Sequence, residues 1–220
     1  MSVWHLFFAI GLGLAGNMGI ALAAPGIPAK RVLAPVAVCP GSVGTLKFFV
    51  GGETQDPRLN GKHLIVVAKK SRRVFLFRNG KLLHIDGKPA CWRAGLGPEP
   101  TGHKLVEGDG KTPEGWYRTS DKPWSQWYAA LAIHYPNQAD ATVALGAKRI
   151  STLTQSAIQQ AIGADKKPPQ TTAMGGEILI HGGGGRTDWT LGCIAMDNED
   201  IDSLRATLPE NMVTDVLILP

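Results

Sequence analysis

The stretch that most constrains the fold is "KHLIVVAKKSRRVFLFRNGKLLHID", residues 62–86. Runs of β-branched and aromatic residues stand on either side of a polar break, a composition that suits pleated, half-buried backbone. Leu64 to Val67 reads as one strand and Val74 to Phe77 as the next. Asn79-Gly80 tolerates the positive φ values of a type I′ turn and returns the chain through "KLLHID", so a β-meander is expected. Further strands are expected at Gly115 to Thr119, at Ala130 to Tyr135 (stopped by Pro136), in "EILIHG" and in "VTDVLIL". Helical spacing is confined to "QADATVALGAKRI", "STLTQSAIQQAIGA" and "NEDIDSLRATLP", the last with Asn198 as its expected N-cap. The expected fold is mostly β with a few short peripheral helices.

Composition agrees. The 220 residues include 27 Gly and 15 Pro, with only 19% charged, which favours a strand- and loop-rich chain over a helical bundle. The length allows one substantial core and an appendage. Turn residues crowd "ACWRAGLGPEPTGHKLVEGDGKTPEGWYRTS", as at the rim of a cleft.

The first residues, "MSVWHLFFAIGLGLAGNMGIALAAP", contain no Lys, Arg, Asp or Glu and end on an A-x-A site at Ala21-Leu22-Ala23. Residues 1–24 therefore read as a secretory signal, with only the α-amine and His5 to charge its n-region. Gly11, Gly13, Gly16, Asn17 and Gly19 interrupt the ~20 apolar residues that an uncleaved anchor would need. Residues 25–61 read as a Pro/Gly-rich extension whose apolar patch "LKFFV" suits docking by a short strand, and residues 62–220 as the main domain. The expected location is the periplasm or cell envelope.

Export sets the reading of Cys39, Cys91 and Cys193. Either all three are unpaired or one stays free, and a Cys39–Cys91 disulfide is the pairing that leaves Cys193 free. No Cys/His spacing fits a metal site, and "GGGGR" lacks the Lys-Ser/Thr of a phosphate loop, so no cofactor is expected. The formal charge of +5 suits a carboxylate-bearing partner such as the cell wall. No RNA- or DNA-binding motif is present, and nucleic acid is not an expected partner.

The chemistry-bearing segment is "LIHGGGGRTDWTLGCIAMDN", residues 179–198, in which His181 precedes Cys193 by twelve positions. A thiol with an ordinary pKa near 8.5 becomes a useful nucleophile when a base takes its proton or backbone N–H groups stabilise the thiolate. His181 ends a strand that can hold its ring, and the N–H groups of Gly192, Cys193 and Ile194 could form an oxyanion hole. The plainer reading is that Cys193 is a small buried hydrophobe and His181 a structural residue. Asp188 or Asp197 could orient His181, although a solvated loop carboxylate is the simpler role for each. Trp189 reads as a packing residue or a cleft edge, while Arg186 and His134 are candidates to meet carboxylates.

The segment "ILIHG…DWTLGCIAMDNEDID" resembles the signature of the L,D-transpeptidase catalytic domain family (YkuD-type), in which a His-Gly is followed by Ser/Thr-x-Gly-Cys. "VFLFRNGKLL", "GLGPEPTGHKLVEGDGKTPEGWY" and "LAIHYPNQAD" resemble other blocks of that family in the same order, over about residues 63 to 219. The resemblance implies a β-sandwich-like domain acting on peptidoglycan stem peptides. It implies Cys193 as nucleophile, His181 as base, Gly192 with Cys193 in the oxyanion region and Thr190 at the Ser/Thr position, with Gly182 a further positioning candidate. The thioester would pass to an amine acceptor, giving a cross-link or a wall-anchored protein; an L,D-carboxypeptidase or hydrolase acting through the same cysteine is the alternative. Leu191 stands where many members have a second His, and Ala195 where many have Arg.

Overall fold

Strand β2 (Leu64–Ala68) is buried at every position because it lies in the middle of a sheet whose neighbours are β3 (Arg73–Arg78) and, at the far end of the chain, β13 (Thr214–Leu219). The computed structural model describes residues 31–32, 39–42, 56–210 and 213–220. The predicted signal and the "LKFFV" patch lie outside the described residues. The remaining strands are β1 (Arg31–Val32), β4 (Lys81–Leu82), β5 (His84–Ile85), β6 (Lys88–Pro89), β7 (Cys91–Arg93) and β8 (Gly115–Ser125). After them come β9 (Tyr128–Ile133), β10 (Leu179–His181), β11 (Thr187–Asp188) and β12 (Ile194–Ala195). A 3-10 helix at Pro57–Asn60 and three short α-helices complete the described residues: α1 (Gln138–Gly146), α2 (Thr152–Gly163) and α3 (Asn198–Thr207).

The main sheet runs β12-β10-β9-β8-β13-β2-β3-β4, with β7 also paired to β3. The expected meander is there in β2, β3 and β4, and Asn79 and Gly80 turn it with φ of 49° and 73°. The sheet is nonetheless mixed, because β13 inserts between β8 and β2, parallel to β2, and β12 runs parallel to β10. Such crossovers bring residues far apart in sequence onto one surface. β8 extends six residues beyond the expected Thr119 and forms a hairpin with β9.

The two faces of this sheet differ. Ile65, Val67, Val74, Leu76, Leu131, Ile133, Ile180, Ile194, Val216 and Ile218 alternate onto one face and form the large core with Ala141, Ala144, Ile158, Ile201 and Leu204 of the helices. On the other face Leu64, Val66, Phe75, Phe77, Leu217 and Leu219 form a second cluster. This cluster is closed by Leu59, Leu82 and the disulfide between Cys39 and Cys91, whose Cα atoms are 6.0 Å apart. Farther along the same face Ala130, Ala132 and Leu179 make a third, smaller cluster, with Cys193 packed on it.

The glycine-rich loops are held by close backbone contact. A Cβ on Gly97 would lie 2.2 Å from the carbonyl oxygen of Gly110, so only glycine lets the two loops approach. Buried Lys69 ties the same region together, donating to Gly102 O, Thr112 O and Glu114 Oε1. The N-terminal extension reaches this part of the molecule through β1, which pairs with β11.

Helix α3 departs from expectation in detail. Its N-cap is Asp197, while the Asn198 side chain accepts the N–H of Gly183 at 2.8 Å. The unpaired donors of the glycine loop compete for that oxygen and win it.

Candidate active site

The register of β10 places His181 and Cys193 on one face. In the parallel ladder Ile180 faces Ile194 and His181 faces Ala195, so Cys193 comes opposite Leu179, whose side chain shares a face with that of His181. Cys193 packs on Leu179, Ala130 and Ala132 of that face, and among the described residues no hydrogen bond joins it to His181. Ala130 and Ala132, opposite His181 and Leu179 on β9, let the cysteine settle low against the sheet.

His181 is 2% exposed, and its Nδ1 lies 2.6 Å from the carbonyl oxygen of Gly182. A carbonyl can only accept, so Nδ1 carries the proton and Nε2 holds the lone pair. Neither acidic candidate orients the ring. Asp188 instead binds Arg72 and accepts the N–H of Leu96 at 2.9 Å, while Asp197 accepts the N–H of Gly185 and meets Arg186. Trp189 is fixed by its Nε1–H to Gly184 O and stands edge-on to His181, with ring centroids 5.5 Å apart. Trp127 stacks edge-on against Trp189 at 5.3 Å and lies 6.1 Å from His181.

The half-buried Cys193 thiol accepts from Leu179 N at 3.4 Å and donates to Glu177 O at 3.5 Å. Burial raises its pKa, and burial lowers that of His181. Both shifts favour the uncharged forms, a thiol and a neutral imidazole.

Thr190 shapes the turn before Cys193. Its hydroxyl donates to Cys193 O at 2.8 Å and accepts the N–H of Gly192 at 3.3 Å. The Gly192 N–H is thereby engaged, and Ile194 lies in the ladder with Ile180, which corrects the three-donor oxyanion expectation. The N–H of Cys193 has no hydrogen-bond partner among the described residues. Gly192 is required on other grounds: its φ is +125°, and a Cβ there would lie 2.6 Å from Lys111 O. A Cβ on Gly182 would meet Asn198 Oδ1 at 2.6 Å.

The two candidate carboxylate binders differ. Arg186 is largely exposed beside Asp197. His134 is buried, its Nε2 3.0 Å from Ser120 Oγ, and burial together with Arg118 pushes its pKa down to about 4. It is neutral at physiological pH. Sequence reasoning missed Trp127, for which the aromatic pair in "WSQWY" was the available signal. It also missed a cluster of Lys122, Glu177 and Lys167 beside the thiol, which no spacing rule reveals. Among the described residues no group of three His, Cys, Asp or Glu is arranged to hold a metal.

Comparison with known proteins places this arrangement. The YkuD model, the L,D-transpeptidase catalytic domain, matches residues 62–218. This chain belongs to that family. Among solved structures, the helical cell shape determining protein Pgp2 from Campylobacter jejuni is 23% identical, with a TM-score of 0.43, covering 71% of this chain and 46% of that one. Bd1075 from Bdellovibrio bacteriovorus is 22% identical (TM-score 0.40; 73% and 49% covered). An L,D-transpeptidase from Xylanimonas cellulosilytica is 12% identical (TM-score 0.41; 72% and 61% covered). The chain thus spans about half the length of the first two. A search of curated proteins found no match.

Proposed function

We propose that the protein is an exported cysteine L,D-transpeptidase acting on peptidoglycan stem peptides. The observation that carries this reading is the shared face of His181 and Cys193, with the imidazole locked by Gly182 O in the tautomer that leaves Nε2 basic. Nε2 takes the thiol proton as Sγ attacks the amide carbonyl between an L-centre and a terminal D-residue. The developing oxyanion meets the N–H of Cys193. The imidazolium then returns the proton to the leaving nitrogen, the D-amino acid departs, and a thioester remains. An amine acceptor, from a neighbouring stem or a wall-anchored protein, attacks the thioester and restores the thiol. Splitting the amide exchange into two steps lowers each barrier. The 1–24 signal carries the chain to the envelope, and no helix among the described residues is long and apolar enough to cross a membrane.

Intact-protein mass spectrometry with a carbapenem acyl donor tests the first step. The wild type gains one adduct, and Cys193→Ala gains none; an adduct on the variant refutes the assignment. Muropeptide analysis then separates transfer, which enriches cross-linked species, from hydrolysis, which enriches trimmed ones.

A further inference from the structure

The carboxylate of Glu177 is held by two ammonium groups, 2.9 Å from Lys122 Nζ and 2.7 Å from Lys167 Nζ. Lys122 comes from β8 and shares the face of Ala130, while Lys167 follows α2. The main-chain carbonyl of the same Glu177 receives the Cys193 thiol at 3.5 Å. An anion clasped by two cations therefore sits within one residue of the nucleophile. Lys167 and Lys122 hold the Glu177 carboxyl below its ordinary range, so it is ionised in the clasp.

Two features set this trio apart from a stabilising surface ion pair. The three side chains are 32% to 54% exposed, and exposed pairs contribute only ~0–1 kcal/mol. Glu177 also adopts φ of +51°, a conformation that costs an L-residue free energy and that Gln170 maintains by accepting its N–H at 2.7 Å.

We propose that Lys122 and Lys167 form the site for the free terminal carboxylate of the donor stem, and that Glu177 occupies it until a donor arrives. The proposal rests on the acyl-transfer reading above. In a donor whose scissile carbonyl reaches Sγ, the leaving residue begins about 3.8 Å farther on, one Cα–Cα step, and ends in its carboxylate. Glu177 likewise runs from a carbonyl at the thiol to a carboxylate on the lysines. Exchange of one carboxylate for another keeps both ammonium groups paired throughout, which avoids the cost of a stranded charge. Return of Glu177 after acylation displaces the departing D-amino acid. Lys122 and Lys167 are thus specificity residues for donors that end one residue beyond the scissile bond.

The test uses the full chain and two synthetic tetrapeptide stems, one ending in a free D-alanine carboxylate and one in its amide. The ratio of kcat/KM for acid over amide is the readout. A Lys122→Gln/Lys167→Gln double variant is expected to lower it by roughly tenfold or more, the loss of a charge-assisted contact. Glu177→Gln is expected to raise it, since the competing anion is gone. A ratio unchanged across these variants, whatever the fall in overall rate, overturns the proposal. Should the double variant fail to fold, each single lysine variant decides by the same ratio. If the wild type turns over neither stem, the acyl-transfer reading fails by itself. The carboxylate site is then read from the rate of Cys193 alkylation by iodoacetate relative to neutral iodoacetamide. That ratio rises in Glu177→Gln and falls in the lysine variants if the site exists, and an unmoved ratio refutes it.

Discussion

Two ends of one sheet face follow the same alternation yet do opposite things. At one end Leu64, Val66, Phe75, Phe77, Leu217 and Leu219 stand tall from β2, β3 and β13 and are sealed by Leu59, Leu82 and the Cys39–Cys91 bridge. At the other, Ala130 and Ala132 on β9 and Leu179 on β10 stay low, and Cys193 rests on them. Between the two, Arg118, Ser120 and Lys122 of β8 turn the face polar. A fully buried Leu or Phe contributes about 1.5–3 kcal/mol, whereas alanine contributes little and leaves room. Side-chain volume, with the alternation unchanged, separates the end that stabilises the fold from the end that can carry chemistry.

The comparison can be broken most directly at the base. His181→Gln is expected to slow carbapenem acylation by roughly 10²–10⁴-fold while leaving thermal stability near wild type, as general-base losses do. In the wild type the acid limb of that acylation should lie below pH 6.5, because burial depresses the His181 pKa and keeps the imidazole neutral as pH falls toward it. A limb at or above pH 6.5 would contradict the neutral pair. At the sealed end the effects reverse: Phe77→Ala should cost about 3–5 kcal/mol of unfolding free energy, measured in urea, while the folded fraction acylates normally. Cys39→Ser with Cys91→Ser should cost about 2–4 kcal/mol, again without changing the acylation rate of folded protein. A reactivity change in either variant would show that the two ends are coupled. The smallest expected effect sharpens the contrast: Ala132→Leu overpacks the low end by about 1–3 kcal/mol and slows Cys193 alkylation by iodoacetamide.

Much of the fold was legible. The Val/Ile/Leu/Phe runs of β2 and β3 are dictated by burial on both sides, and Asn79-Gly80 by the turn, so both are written locally. The pairing partner of β2 was not, because β13 lies about 150 residues away and inserts in parallel, which hydrophobic periodicity does not encode. The glycines and the block order singled out His181 and Cys193, but the face they share follows from the pairing of β10 with β9 and the packing of Cys193 on Leu179, and their protonation from burial. Burial at the sheet surface favours the uncharged forms of both groups. The roles of Asp188 and Asn198 misread for one reason: each polar group is claimed by a partner remote in sequence, namely Arg72 and the Gly183 N–H.

By itself, the sequence determined what short-range chemistry can specify: which segments pleat, where the chain must turn, and that a cysteine and a histidine flank a run of glycines. Tertiary structure decided what those groups face. It put sulfur and imidazole on one side of two parallel strands, chose a carbonyl over a carboxylate to hold the ring, and brought Lys122 and Lys167 to Glu177. Backbone preference acts over a few residues, while charge, burial and hydrogen bonding act through space, and only folding settles which neighbours are near.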